Sequence, residues 1–227
     1  MTTRLRRQDT GRPAGRRLPR GPARAAALAV VAAAGLAVST VPASAAPRTV
    51  DPATVSPALN PDFAPWTCLQ TGQGIVCRGD ALFAYDQEPI GLVCTAGEVV
   101  ISGTGREHMT RWHTSDGLAT KTIVNLSYPA DVFTLAGAPD GPSLTIRGHW
   151  NRHYEYLVPG DRDSRVLTEV GAIYLANEPG SGLVLHDTGW VRYEPGQEFD
   201  TVADSRGIHD TLPDPSVIDS LICDALG

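Results

Sequence analysis

The residues of this chain whose types and spacing could do chemistry are its histidines and carboxylates. His149 and His153 form His-x-x-x-His, which on a helix would place two imidazoles on one face at zinc-ligand spacing. Their neighbours point to a strand instead: Gly148 interrupts, and Trp150, Tyr154 and Tyr156 alternate with polar residues. Strand positions four apart are separated by about 13 Å, too far to share one ion. Glu107-His108 is followed by Trp112-His113, an order that matches neither His-Glu-x-x-His nor its inverse, so no metalloprotease motif is present. Gly-x-Ser-x-Gly, a phosphate loop and a dinucleotide fingerprint are absent too. Neither a metal nor a cofactor is expected. Asp161-Arg162-Asp163-Ser164, after Pro159-Gly160, offers two carboxylates where a calcium loop supplies about six to eight oxygens, and reads as a solvated hairpin turn. Arg78-Gly79-Asp80 spells an adhesion tripeptide and is read as chance. An enzymatic pocket would have to draw on His108, His149, His153, Glu155, His186 and Asp187.

The elements that must position these residues are strands. From Cys68 onward turn signals recur at short intervals: Ser115-Asp116-Gly117, Pro139-Asp140-Gly141-Pro142, Pro179-Gly180-Ser181-Gly182 and Pro195-Gly196. Between them lie segments rich in Val, Ile, Thr, Tyr and Trp, the pattern of an antiparallel all-β domain. Ten strands are expected: 75–78, 90–95, 99–104, 107–114, 120–128, 132–135, 143–158, 165–176, 183–193 and 198–204. In the long seventh one, Ile146, Trp150, Tyr154 and Tyr156 fall on one face and Arg147, His149, Asn151, His153 and Glu155 on the other. Trp112 and Trp190 are read as core or cavity-wall residues. Sequential strands joined by short turns favour a meander that forms a barrel or strongly curved sheet, with a β-sandwich as the alternative. One helix closes the chain: Asp214 as N-cap, Pro215 at N1, and a stripe of Val217, Ile218, Leu221, Ile222 and Ala225.

The N-terminus has a different composition. Residues 1–45 carry 8 of the 19 basic residues and Asp9 as their one acid; an Arg-rich start, an apolar stretch from Ala25 to Val38 and Ala43-Ser44-Ala45 follow in order. This is an export signal, with the mature chain beginning near Ala46. From Ala46 onward the formal charge is -13, with one lysine, Lys121, and scattered arginines. Nucleic acid and, after signal cleavage, membrane surfaces are poor partners for such a chain, because both select clustered Lys and Arg. A small ligand, a protein or a cation remains open, and the product is expected to be a secreted monomer. Residues 46–65, with five prolines, are expected to be a flexible lead-in to one domain over 66–227.

Four cysteines, Cys68, Cys77, Cys94 and Cys223, all follow the signal. An even count in an exported chain implies two bridges with three possible connectivities. The Gly-rich turn between Cys68 and Cys77 favours a hairpin bridge there, leaving Cys94 for Cys223. No Cys-x-x-Cys pair suggests a metal site instead.

From Trp66 to Leu226 the chain resembles a family of exported actinobacterial proteins of unassigned function. The resemblance is carried by Trp66-Thr67-Cys68 with Gly74-Ile75-Val76-Cys77, by Glu88-Pro89-Ile90-Gly91-Leu92-Val93-Cys94, and by Arg111-Trp112-His113-Thr114-Ser115-Asp116-Gly117. Asn151-Arg152-His153-Tyr154, Gly182-Leu183-Val184-Leu185-His186-Asp187-Thr188-Gly189 and the closing Ile222-Cys223-Asp224-Ala225-Leu226 complete it. The family implies export, a β-rich fold and two bridges, and lends no catalytic residue. Three functional readings follow: a disulfide-bonded, barrel-like module that binds a ligand or partner without catalysis; an enzyme with a His/carboxylate pocket at the barrel mouth; or a protease inhibitor using the Cys68/Cys77 loop.

Overall fold

Among the described residues nine strands follow one another in sequence and in space. A computed structural model describes residues 47–212, 214 and 216–227; the expected signal segment, its cleavage site and Pro215 lie outside the described residues. The strands are β1 (Arg48–Val50), β2 (Thr67–Thr71), β3 (Gly74–Cys94), β4 (Gly97–His113), β5 (Ala119–Leu135), β6 (Leu144–Tyr156), β7 (Arg165–Glu178), β8 (Gly182–Tyr193) and β9 (Val202–His209). They make one sheet in the order β1 to β9, every neighbouring pair antiparallel. The meander is as expected, but the barrel is not: β1 and β9 end the order and do not pair, so the sheet is not closed.

The ten expected strands merge into seven, β3 to β9, because bulges carry the chain through what looked like breaks, and β1 and β2 are additional to them. Register shifts fall at Tyr85/Glu88, Ser102/Arg106, Tyr128/Asp131, Arg147/His149 and Ala172/Tyr174. They form a row across consecutive strands. A bulge leaves one residue unpaired, bends the strand and re-aims the side chains beside it. Gly105-Arg106 and Pro129-Ala130-Asp131, which separate expected strands, lie in or beside this row. The last strand also moves: it runs over Val202–His209, while Glu198 sits before it in a salt bridge with Arg165 at 2.7 Å.

The row of bulges divides the buried face of the sheet into two cores. On one side Ala81, Met109, Val124, Leu126, Trp150 and Leu167 pack with Phe63 of the N-terminal segment. On the other, Val99, Phe133, Leu144, Ala176 and Leu185 pack against Ile222 and Leu226 of α1 (Val217–Leu226). The helical stripe therefore does bury, and Cys94–Cys223 ties it to the end of β3. Cys68–Cys77 closes the β2–β3 hairpin, and both bridges are those expected. The helix starts two residues later than its expected cap: Ser216 is the N-cap, and Asp214 Oδ1 accepts from the Ser216 N–H at 3.0 Å and its hydroxyl at 2.7 Å.

Residues 47–65 are not a flexible lead-in. Val50 pairs with Cys68, Val55 and Phe63 are buried, and Ser56 exchanges backbone hydrogen bonds of 2.8 Å with Gly117 and Ala119. The prolines that suggested flexibility instead open two short turns, Pro52–Thr54 and Pro61–Phe63, capped by the Asp51 and Asn60 side chains. Proline's fixed φ suits the first residue of such a turn. Two apolar plugs held by two capped turns outweigh the disordering tendency read from composition.

Candidate functional site

Six polar residues were singled out in the sequence, and the fold does not gather them. Strand alternation puts His108, His149, His153, Glu155 and His186 on the outer face, opposite to both cores. His108 stands 3.1 Å from Asp80, which also holds Arg106 at 3.1 Å; these are exposed contacts between β3 and β4, and they engage the aspartate of the Arg-Gly-Asp tripeptide. His149 and Glu155 are exposed. His153 is half-buried, and burial together with the Lys121 charge lowers its pKa. His186 Nε2 contacts Thr188 Oγ1 at 2.9 Å. None of the six hydrogen-bonds to another among the described residues. Trp112 and Trp190, read as core or wall, are half-buried on this same outer face.

Asp187 is the exception, buried on the inner side. It accepts from His209 Nδ1–H at 2.7 Å and from the Thr211 hydroxyl. His209 escaped notice in the sequence. Among the described residues no hydroxyl is poised as a nucleophile for the pair, because the neighbouring one, Thr211, donates its proton to Asp187. The three residues pin β8 to β9 and to the segment beyond. Asp161 and Asp163 likewise belong to a capped turn, Asp161 accepting from the Asp163 N–H at 3.0 Å.

The inner face carries a different constellation, centred on Glu169. This carboxylate is 3% exposed and accepts from Arg152 Nε at 2.8 Å, Trp150 Nε1 at 3.1 Å and the Tyr193 hydroxyl at 3.2 Å. Register explains the convergence: Arg152 faces Glu169 across β6–β7, Trp150 is two residues along on the same face, and Tyr193 lies on β8. Burial by itself would lower the pKa of Arg152, but the Glu169 bond and charge outweigh it and hold the guanidinium above its usual value. Arg152 Cζ lies 5.5 Å from the Trp150 ring and 5.2 Å from that of Phe199, within cation–π range.

Beside this hub, where the two cores meet at the row of bulges, lies a cavity of about 180 Å³. Its walls include Tyr128, Trp150 and Tyr174 with Leu126, Ile146 and Ile173; its charged lining is Glu107, Asp131, Arg147 and Arg152. The aromatic rings form a continuous wall, Tyr128 stacked on Trp150 at 5.7 Å and Trp150 tilted to Tyr174 at 6.4 Å. Each acid is held by a phenol: the Tyr128 hydroxyl donates to Glu107 and the Tyr85 hydroxyl to Asp131, both at 2.5 Å. Burial and the adjoining carboxylates push both phenols up, so they stay protonated donors. Burial also raises Asp131.

Two glycines make these contacts possible. A Cβ on Gly105 would lie 2.4 Å from the Tyr128 ring, and one on Gly103 would lie 2.5 Å from Asp131 Oδ1 and 3.0 Å from the Tyr85 ring. The Gly-Thr-Gly of β4 is thus the floor on which two tyrosines lie. Neither Glu169, Arg152 nor the phenol–carboxylate pairs were named as site residues from the sequence, and the one signal that bore on them was the polar Arg152 among apolar alternating partners in β6. Compared with known proteins, the chain matches no family model, no curated relative and no solved structure.

Proposed function

We propose that this chain is exported and that its folded part is a disulfide-bonded, non-catalytic β-sheet module that binds a small ligand in the inner-face cavity. The observation carrying this is the Glu169 hub. A buried acid with three donors and an arginine braced between two rings is a pre-organised wall, and pre-organisation lowers the ordering cost of binding. Bulges concentrate at the same place, as they do beside binding sites. Binding is favoured over turnover because each acid lining the cavity is already engaged by a tyrosine, and the Asp187–His209 pair faces no nucleophile among the described residues.

The wider reading has its own supports. The Arg-rich, apolar and small-residue succession over residues 1–45 serves as the signal, and two disulfides suit an oxidising compartment. The acidic mature chain disfavours nucleic acid and anionic membranes. No helix among the described residues is long and apolar enough to cross a membrane. The sheet is strongly curved in this reading, since its buried face carries two cores and only one ten-residue helix lies on it. The motifs from Trp66 to Leu226 that resemble those of exported actinobacterial proteins agree with this reading. The inhibitor reading loses ground, because Thr71 pairs with Gly74 and leaves only Gly72 and Gln73 as a reactive loop.

The test is a thermal-shift screen of the purified chain with small molecules, glycans and divalent ions. Stabilisation by a ligand that is lost in Trp150→Ala, but kept in a His149→Ala control on the outer face, supports the site. Turnover of any bound compound, or a ligand insensitive to Trp150, overturns it.

A further inference from the structure

Opposite charges line the cavity without meeting. Glu107 and Asp131 contribute negative charge, Arg147 and Arg152 positive charge, yet no ion pair among the described residues joins either acid to either arginine. In a partly desolvated space such groups attract strongly, so something must hold them apart. The phenols hold the acids, as the two 2.5 Å bonds show. Glu169 holds Arg152 by Nε, and Trp150 and Phe199 approach its guanidinium. The terminal nitrogens of Arg152 make no hydrogen bond to the described residues, and Arg152 lines the cavity.

The separation can be read from register. Glu107 and Trp150 both pair with Leu126, so their backbones are two strand spacings apart, about 9.6 Å. Arg152 is two residues further along β6, about 7 Å on. The acid and the guanidinium are therefore rooted about 12 Å apart along the lining of one cavity. A cavity of about 180 Å³ corresponds to the liquid volume of about six waters, room for a ligand of fewer than about ten heavy atoms.

We infer that the ligand is a small zwitterion carrying an ammonium and a carboxylate, of the size of a simple amino acid or a betaine. The carboxylate lies against the free edge of Arg152, whose fork suits two parallel hydrogen bonds. The ammonium lies among Tyr128, Tyr174 and the Glu107 and Asp131 carboxylates, where ring faces and negative charge both favour a cation. This rests on the cavity being the binding site, as proposed above, and adds the chemistry of its occupant.

Isothermal titration of the purified chain tests it, using glycine betaine, L-proline and β-alanine as zwitterions, choline and pivalate as half-ligands, and erythritol as a neutral control. At least one zwitterion should bind and raise the Tm, and both half-ligands should be weaker by about tenfold or more. Glu107→Gln, which keeps an acceptor for Tyr128 and removes the charge, should weaken that zwitterion by about tenfold, with its fold checked by circular dichroism. Arg152→Lys, which keeps charge and loses the fork, should weaken it similarly. Binding of erythritol or glycans with none of the zwitterions overturns the ligand class while leaving the cavity as a binding site. Zwitterion affinity unchanged in Glu107→Gln overturns the charge assignment. Silence across these probes and the broader screen overturns both the class and the module reading.

Discussion

Two buried polar clusters occupy the inner side of the same sheet, and their bookkeeping of hydrogen bonds is opposite. Around Glu169 the carboxylate has three donors, Arg152 Nε, Trp150 Nε1 and the Tyr193 hydroxyl, and among the described residues only the cavity-facing edge of Arg152 is left over. Further along β4 and on β5, Arg111, His113 and Thr122 are also buried, but Arg111 Nε, both His113 ring nitrogens and Thr122 Oγ1 lack hydrogen-bond partners among the described residues. Arg111 reaches the Pro57 and Ala58 carbonyls, at 3.0 and 3.3 Å, and pairs with no acid among the described residues. Burial and the charges of Arg162 and Arg165 lower its pKa, opposed by Tyr156. Burial and the Arg111 charge push His113 down to about 4. A satisfied polar network rigidifies the fold around it, whereas an unsatisfied one costs stability. The first cluster faces a cavity and the second underlies the N-terminal segment, so rigidity is concentrated where a ligand would sit.

The largest expected effect comes from breaking the satisfied cluster. Glu169→Ala leaves Arg152 buried beside no acid and should cost about 3–5 kcal/mol, read by urea unfolding. A loss below 1 kcal/mol would show that Arg152 finds water and that the hub is not pre-organised. The next effect titrates the other cluster. The folded-state pKa of His113, about 4, lies below the free value of about 6.5. Between those values the unfolded chain binds more protons than the folded one, so stability falls as pH drops from about 6.5 to about 4 and then levels off. Thermal melts across that range should show a Tm decline that is flatter in His113→Gln; equal slopes in the two proteins would count against the assignment.

A smaller effect is expected at the cavity floor. Gly105→Ala drives a Cβ toward the Tyr128 ring and should cost about 1–3 kcal/mol, with loss of ligand stabilisation in the same preparation. The smallest is Thr122→Val. Removing an unpartnered hydroxyl with little change of shape should be neutral or stabilising, within about 1 kcal/mol. A clear destabilisation there would mean that Thr122 has a partner, a bridging water for example, and that the two clusters differ less than described.

Much of the fold was legible. The alternation of Trp150, Tyr154 and Tyr156 against His149, His153 and Glu155 assigned the two faces of β6, the helix stripe was placed within a residue or two, and both bridges paired as expected. The breaks read at Gly105-Arg106 and near Pro129 were real irregularities, but bulges rather than turns, because turn chemistry and bulge chemistry draw on the same small and proline residues. The segment before Trp66 was misread for a related reason: proline counts as disorder in composition and as a fixed φ once a capped turn forms around it.

The candidate site was less legible, and the cause is register. A period of two says which residues share a face of one strand, not which face is inner or which residues meet across strands. Attention went to the histidines, whose chemistry is conspicuous in a sequence, and five of the six chosen residues lie on the outer face. The sequence by itself determined an all-β chain with alternating strands, two disulfides, a C-terminal helix and an acidic body behind a basic, apolar start, because these follow from local pattern and composition. Only the tertiary structure decided that the sheet stays open and that the bulges align. It also decided that Glu107, Tyr128, Arg152 and Tyr174, one from each of four strands, line one cavity with Glu169 and Tyr193 braced behind Arg152, because cross-strand pairing brings together residues that no local pattern relates.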